Sequence, residues 1–190
     1  MRRLPARGRR GNWRLTGWVA LVLAALPGTG RAGGEALAVV SARVPVEPAR
    51  VWALLTDFDA QSTLFPSTLH SSVEWIDEQR LRLRQTVRVA GFVIRYTLAT
   101  TLDRERGVIE GLLDPSEPHD VADIATTWRV APHRQGGTRV ELRVRMRSGL
   151  PVPGWLEQRV TERSARETMQ RLVHVAKDPE PGEGTRLASN

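Results

Sequence analysis

Between about residues 69 and 147, apolar and polar side chains alternate along the chain, the period-two pattern of strands that bury one face. The third strand shows it best: Leu81, Leu83, Gln85, Val87 and Val89 point one way, and Arg80, Arg82, Arg84, Thr86 and Arg88 the other. Gly91 marks a tight reversal, after which Phe92, Ile94, Tyr96 and Leu98 continue the alternation. Further strands are predicted over 69–76, over 108–113 and over about 120–131, where Ala122, Ile124, Thr126, Trp128 and Val130 share a face. In a last strand, ending at Arg147, Val140, Leu142, Val144 and Met146 share one. Turn chemistry separates them: Asp77-Glu-Gln-Arg80, Asp114-Pro-Ser-Glu-Pro118 and Gly136-Gly137. Such alternation describes an antiparallel sheet with one wet face.

Helical spacing brackets this run. Val51, Leu54, Leu55 and Phe58, with Pro48 suited to a first turn, predict a short helix after a first strand at 36–46. A short irregular or helical stretch at 59–67 ends at Pro66. Past Pro151-Val-Pro-Gly154, a long uninterrupted helix is expected over about 155–177, facing inward with Leu156, Val160, Ser164, Ala165, Thr168, Met169, Leu172 and Ala176. The fold class that follows is α+β: a curved antiparallel sheet of about seven strands wrapped around a long C-terminal helix, with one or two short helices after strand one.

One twisted sheet covered by one long helix encloses space, and the small residues in the middle of that helix leave volume beside it. Phe65, Trp75, Tyr96 and Trp128 are expected on or near the concave surface. Ile94, Leu142 and Met146 from the strands, and Ala165 and Met169 from the helix, complete the expected apolar lining. Gln85 is the polar exception in its row and needs a partner, which a ligand oxygen or a neighbouring group would supply. Trp52 is read as a core residue that fixes helix to sheet.

The formal charge of +7 invites a nucleic-acid reading until it is located. Residues 1–32 hold seven arginines and no acid, so the remaining 21 bases balance all 21 acids in the body of the chain. No nucleic-acid partner is expected. Those 32 residues have a basic start, an uncharged apolar stretch from Leu15 to Leu26 and small residues before Gly33, the parts of a cleavable export signal. The apolar stretch is shorter than the roughly 20 residues of a spanning helix, and an uncleaved membrane anchor is the alternative. Arg9-Arg10 leaves general against twin-arginine export open. A periplasmic domain over 36–177 is expected, followed by a disordered tail at 178–190 rich in Pro and Gly. There is no cysteine, so an exported domain of this kind rests on its core alone.

Catalytic and metal signatures are missing. His70, His119, His133 and His174 have no ligand spacing, and there is no nucleophile elbow, phosphate loop or dinucleotide glycine pattern. No metal, no cofactor and no catalytic residue is expected. Glu110, Asp120 and His119 are loop or mouth groups read as solvated rather than as general bases. The arginine stripes Arg82, Arg84, Arg88 and Arg143, Arg145, Arg147 are read as the wet sheet face.

The element order, with Pro48-Ala-Arg-Val-Trp-Ala-Leu-Leu-Thr-Asp-Phe58, Leu64-Phe-Pro66, Gly137-Thr-Arg-Val140 and the proline-containing loop before the last helix, resembles the START-like (helix-grip, SRPBCC) superfamily. Within it, residues 36–177 most resemble the polyketide cyclase/dehydrase and coenzyme Q-binding group. The resemblance implies a cavity between sheet and C-terminal helix for a lipid, quinone, polyketide or hormone, with chemistry in only some members. The expected function is therefore an exported binding domain for a small hydrophobic molecule, with transient membrane contact and no catalysis. The alternative is a cyclase or dehydratase acting on a polyketide-like substrate in the same cavity.

Overall fold

The computed structural model describes residues 35–177 apart from 59, 66 and 90. The expected export signal and C-terminal tail lie outside the described residues. The elements run β1 (Ala36–Val44), α1 (Pro48–Thr56), α2 (Gln61–Leu64), β2 (Thr68–Trp75), β3 (Arg80–Val89), β4 (Phe92–Asp103), β5 (Val108–Leu113), β6 (Asp123–Pro132), β7 (Thr138–Arg147) and α3 (Gly154–Lys177). The sequence-predicted α+β helix-grip architecture is present.

The seven strands form one antiparallel sheet in the order β1-β7-β6-β5-β4-β3-β2. Every pairing but β1–β7 joins consecutive strands, so the sheet is a meander closed by one long-range partnership. β1 stops at Val44, earlier than its apolar pattern, because Pro45 has no N–H to continue the ladder. There the backbones come close: Thr138 Oγ1 donates to Val46 O at 2.6 Å. A Cβ on Gly137, which has φ +77°, would stand 2.5 Å from Val44 O. β4 extends to Asp103, and β6 begins only at Asp123, since 120–122 belong to a loop.

α3 packs mainly along β1, at one edge of the sheet. Gln158 makes that seam specific: its Oε1 accepts from the Leu37 N–H at 2.9 Å and its Nε2 donates to the Leu37 carbonyl at 2.8 Å. The side-chain amide thus stands in for a neighbouring strand on an otherwise open edge. This contact also turns the first half of the helix. The buried positions are Glu157, Thr161, Ala165, Met169, Leu172 and Ala176, while Leu156, Val160, Ser164 and Thr168 are half-buried rather than central.

On the outer surface, the segment after β5 folds back over β3 and β4. Arg82 Nε donates to Asp114 Oδ2 at 3.1 Å, Arg84 reaches Glu117 at 3.2 Å and Glu74 at 2.8 Å, and Arg95 Nε donates to Asp120 Oδ2 at 3.1 Å. Arg82 and Arg84 are therefore clamps for a loop, whereas Arg88, Arg143 and Arg147 stand exposed as the wet face requires. Asp114 also accepts from the Ser116 hydroxyl and N–H. The Ser116 bonds, with Arg82 behind them, hold the Asp114 carboxyl below its ordinary range, and Arg95 does the same for Asp120. A carboxyl whose folded value lies below its unfolded value of about 3.9 stabilises the fold above that pH and loses its contribution as pH falls through the folded value. Stability should therefore decline on acidification below about pH 4. Asp114→Asn should flatten that acid limb in thermal melts across pH; an unchanged limb would remove Asp114 from the account.

Candidate functional site

Between α3 and the concave sheet face lies a cavity of about 160 Å³. Leu83, Gln85 and Val87 of β3 form one wall with Tyr96 and Leu98 of β4. Trp128 of β6 and Leu142, Val144 and Met146 of β7 form the opposite one. These positions fall inside because the antiparallel register sets Gln85 opposite Tyr96 and Trp128 opposite Leu142, and opposed residues share a face. α3 closes the space with Val160, Thr161, Ser164, Ala165 and Thr168. Small side chains here keep the helix backbone near the sheet while leaving room beside it, as the sequence suggested.

Phe65, at the end of α2, stacks on Trp128 with ring centroids 6.1 Å apart and planes inclined by 29°. This pair gives the cavity an aromatic flank suited to a flat or hydrocarbon ligand. The polar groups in the wall form a relay. Tyr96 donates its hydroxyl to Gln85 Oε1 at 3.0 Å, and Gln85 Nε2 donates to Gln61 Oε1 at 2.6 Å. Neighbouring side chains thus supply the partners that Gln85 needs. Burial pushes the Tyr96 phenol well above its ordinary value, so it stays a neutral donor.

Seven of the ten residues singled out in the sequence meet here: Phe65, Gln85, Tyr96, Trp128, Leu142, Met146 and Ala165. Three do not. Trp75 pairs with Leu81 at the far end of β2, 54% exposed, and meets Phe58 edge-on at 6.1 Å. Met169 is buried one turn beyond the cavity, in the dry core. Ile94 lines a smaller neighbouring cavity of about 60 Å³. Gln61 and Thr161 were missed. Gln61 sits in a helix of four residues, too short for periodicity to orient it, and Thr161 was hidden by the rotation of α3 toward β1.

Glu110, His119 and Asp120 are exposed and line neither cavity. Among the described residues, no group of three or more His, Cys, Asp or Glu side chains is placed to hold a metal ion. Among the described residues, the one carboxyl in the lining of the smaller cavity is Glu157, in the first turn of α3.

The sequence model of the family described as polyketide cyclase/dehydrase and lipid transport matches residues 36–177. The chain belongs to that family. Solved structures similar to it include the Zhui aromatase/cyclase from Streptomyces sp. R1128, at 20% identity and TM-score 0.67, covering 76% of this chain and 94% of that one. A START superfamily protein from Mycobacterium smegmatis is 15% identical with TM-score 0.65, over 76% of this chain and 98% of that one. The STAR-related lipid transfer protein (fragment 25–204) from Xanthomonas axonopodis is 15% identical with TM-score 0.63, over 74% and 85% respectively. These likenesses establish the shared START-type fold. No curated protein sequence matches the chain.

Proposed function

We propose that the domain binds a small hydrophobic molecule between the sheet and α3 and makes or breaks no bond in it. The observation that carries this reading is the chemistry of the main cavity wall. Among the described residues it contains no carboxylate, imidazole or amine, and the one ionisable group there, Tyr96, is a buried neutral phenol already committed to Gln85. General acid–base chemistry needs a group that changes charge near the working pH, whereas apolar binding needs only the wall. The family's lipid-transport branch and the STAR-related lipid transfer protein from Xanthomonas axonopodis support the same direction.

The basic, then apolar, first 32 residues support export of this domain to the periplasm, free or held by an uncleaved signal. No helix among the described residues is long and apolar enough to cross a membrane. Phe92, 56% exposed, borders the smaller cavity, and Trp155, 67% exposed, is in the first turn of α3; both suit brief contact with a lipid surface. The second reading, a cyclase or dehydratase acting on a polyketide-like substrate, draws on the Streptomyces aromatase/cyclase likeness and on Glu157 as a carboxyl lining the adjoining cavity.

Titration of the purified protein with the neutral dye N-phenyl-1-naphthylamine should give saturable one-to-one uptake. Native mass spectrometry should find a hydrophobic molecule carried through purification or exchanged for the dye. Protein that takes up no dye and releases nothing on solvent extraction would reject the binding reading.

A further inference from the structure

The main cavity continues past Met146. The smaller cavity abuts it, and Val89, Met146, Val160 and Thr161 line both. Met146 is the unbranched, flexible member of that shared lining, the side chain best able to yield to a ligand that spans both spaces. The smaller end is walled by Phe92, Ile94, Leu150, Val152 and Leu156, and it contains one charged residue, Glu157.

Glu157 is 5% exposed. Its Oε1 accepts the N–H of Ser148, which ties the end of β7 to α3. Its Oε2 is buried and has no hydrogen-bond partner among the described residues. An orphaned acceptor in an apolar enclosure opposes folding, because water once solvated it and nothing now does. The Ser148 bond accounts for one oxygen of Glu157 and leaves the other unexplained. The neighbours that Glu157 does have present positive ends to it: the Ser148 N–H and the first turn of a 24-residue helix. Its open oxygen therefore calls for a donor rather than for another acceptor.

We propose that Glu157 Oε2 receives the head group of the bound molecule, a hydrogen-bond donor of the alcohol or protonated-amine class, while the apolar part passes Met146 into the main cavity. This rests on the hydrophobic-binding reading and narrows it to amphiphiles with a donating end. Molecules whose polar end only accepts, such as quinones and esters, leave the Glu157 oxygen unmet and bind less well.

The test is displacement of N-phenyl-1-naphthylamine by three chain-matched probes: decan-1-ol, decylamine and methyl decyl ether. Wild-type protein should bind the alcohol and the amine at least about tenfold more tightly than the ether, the effect of satisfying one buried acceptor. In Glu157→Gln the open atom becomes an amide N–H, so the amine, which can only donate, should fall to or below the ether. Equal wild-type affinities for all three probes would overturn the Glu157 assignment and leave the binding reading standing. An amine preference that survives in Glu157→Gln would do the same. Failure of every probe, and of the dye itself, would overturn both. The wild-type ranking decides the matter even where the variant does not fold.

Discussion

Ser164→Phe is expected to abolish uptake of a hydrophobic dye while leaving the fold standing. Ser164 contributes to the cavity from α3 and is half-buried, with Ala165 and Thr168 as its small neighbours in the same wall. The cavity measures about 160 Å³, and a dry cavity of roughly 150 Å³ is known to take one benzene molecule. A single phenyl ring projected from position 164 therefore uses up the available space. Each buried CH₂ is worth about 0.8 kcal/mol, so excluding even four carbons of a ligand lowers affinity by more than about 100-fold. Stability responds differently. The ring replaces empty space rather than packed atoms, so its cost stays below the roughly 1–3 kcal/mol of true overpacking. Dye titration paired with a thermal melt separates the two effects, with Ser164→Ala as the control that keeps both. A folded Ser164→Phe protein with wild-type uptake would move the binding site elsewhere.

Leu172→Ala should give the largest loss of stability among single truncations in α3. Leu172 is 0% exposed and belongs to the continuous core beneath the helix, beyond the cavity. No empty space adjoins it among the cavity linings, so truncation opens a new void. Such changes cost about 2–5 kcal/mol. At roughly 2–4 °C per kcal/mol for a chain of this size, the melting temperature should fall by about 4–20 °C. Leu112→Ala, at a residue 49% exposed on β5, should change stability by less than about 0.5 kcal/mol. A Leu172→Ala protein melting with the wild type would mean that the C-terminal half of α3 contributes little to the fold.

The difference between these positions bears on what the sequence made legible. The β3 and β4 faces could be read residue by residue because a period of two leaves no freedom: once Leu81 and Leu83 are inside, Gln85 is inside as well. The same rule drew in Trp128, Leu142 and Met146. It failed for Trp75, which shares the inner face through its pairing with Leu81 but lies at a strand end where alternation carries no information on depth. On α3 the ambiguity was rotational. Leu156 and Val160 were chosen because they are apolar, although Glu157, Thr161, Ala165 and Met169 lie on one face at regular four-residue spacing. An inward set chosen for apolar side chains leaves Glu157 out and loses that signal. What placed it inside was the Ser148 N–H together with the Gln158 link to Leu37, long-range contacts that no local pattern announces. The outer loop was obscure for a related reason: Asp114, Glu117 and Asp120 meet Arg82, Arg84 and Arg95 only after β4 and β5 have paired.

The order of the sheet also sets a schedule for the growing polypeptide. β2 to β7 each have a neighbour made immediately before or after them, whereas β1 must wait for β7, about 100 residues later in the chain. At roughly 5–20 residues per second, a ribosome needs about 5–20 seconds to supply that partner. Through that interval Ala36, Ala38, Val40 and Val44 have no sheet to join, so the edge that α3 later covers is the last part of the sheet to be completed.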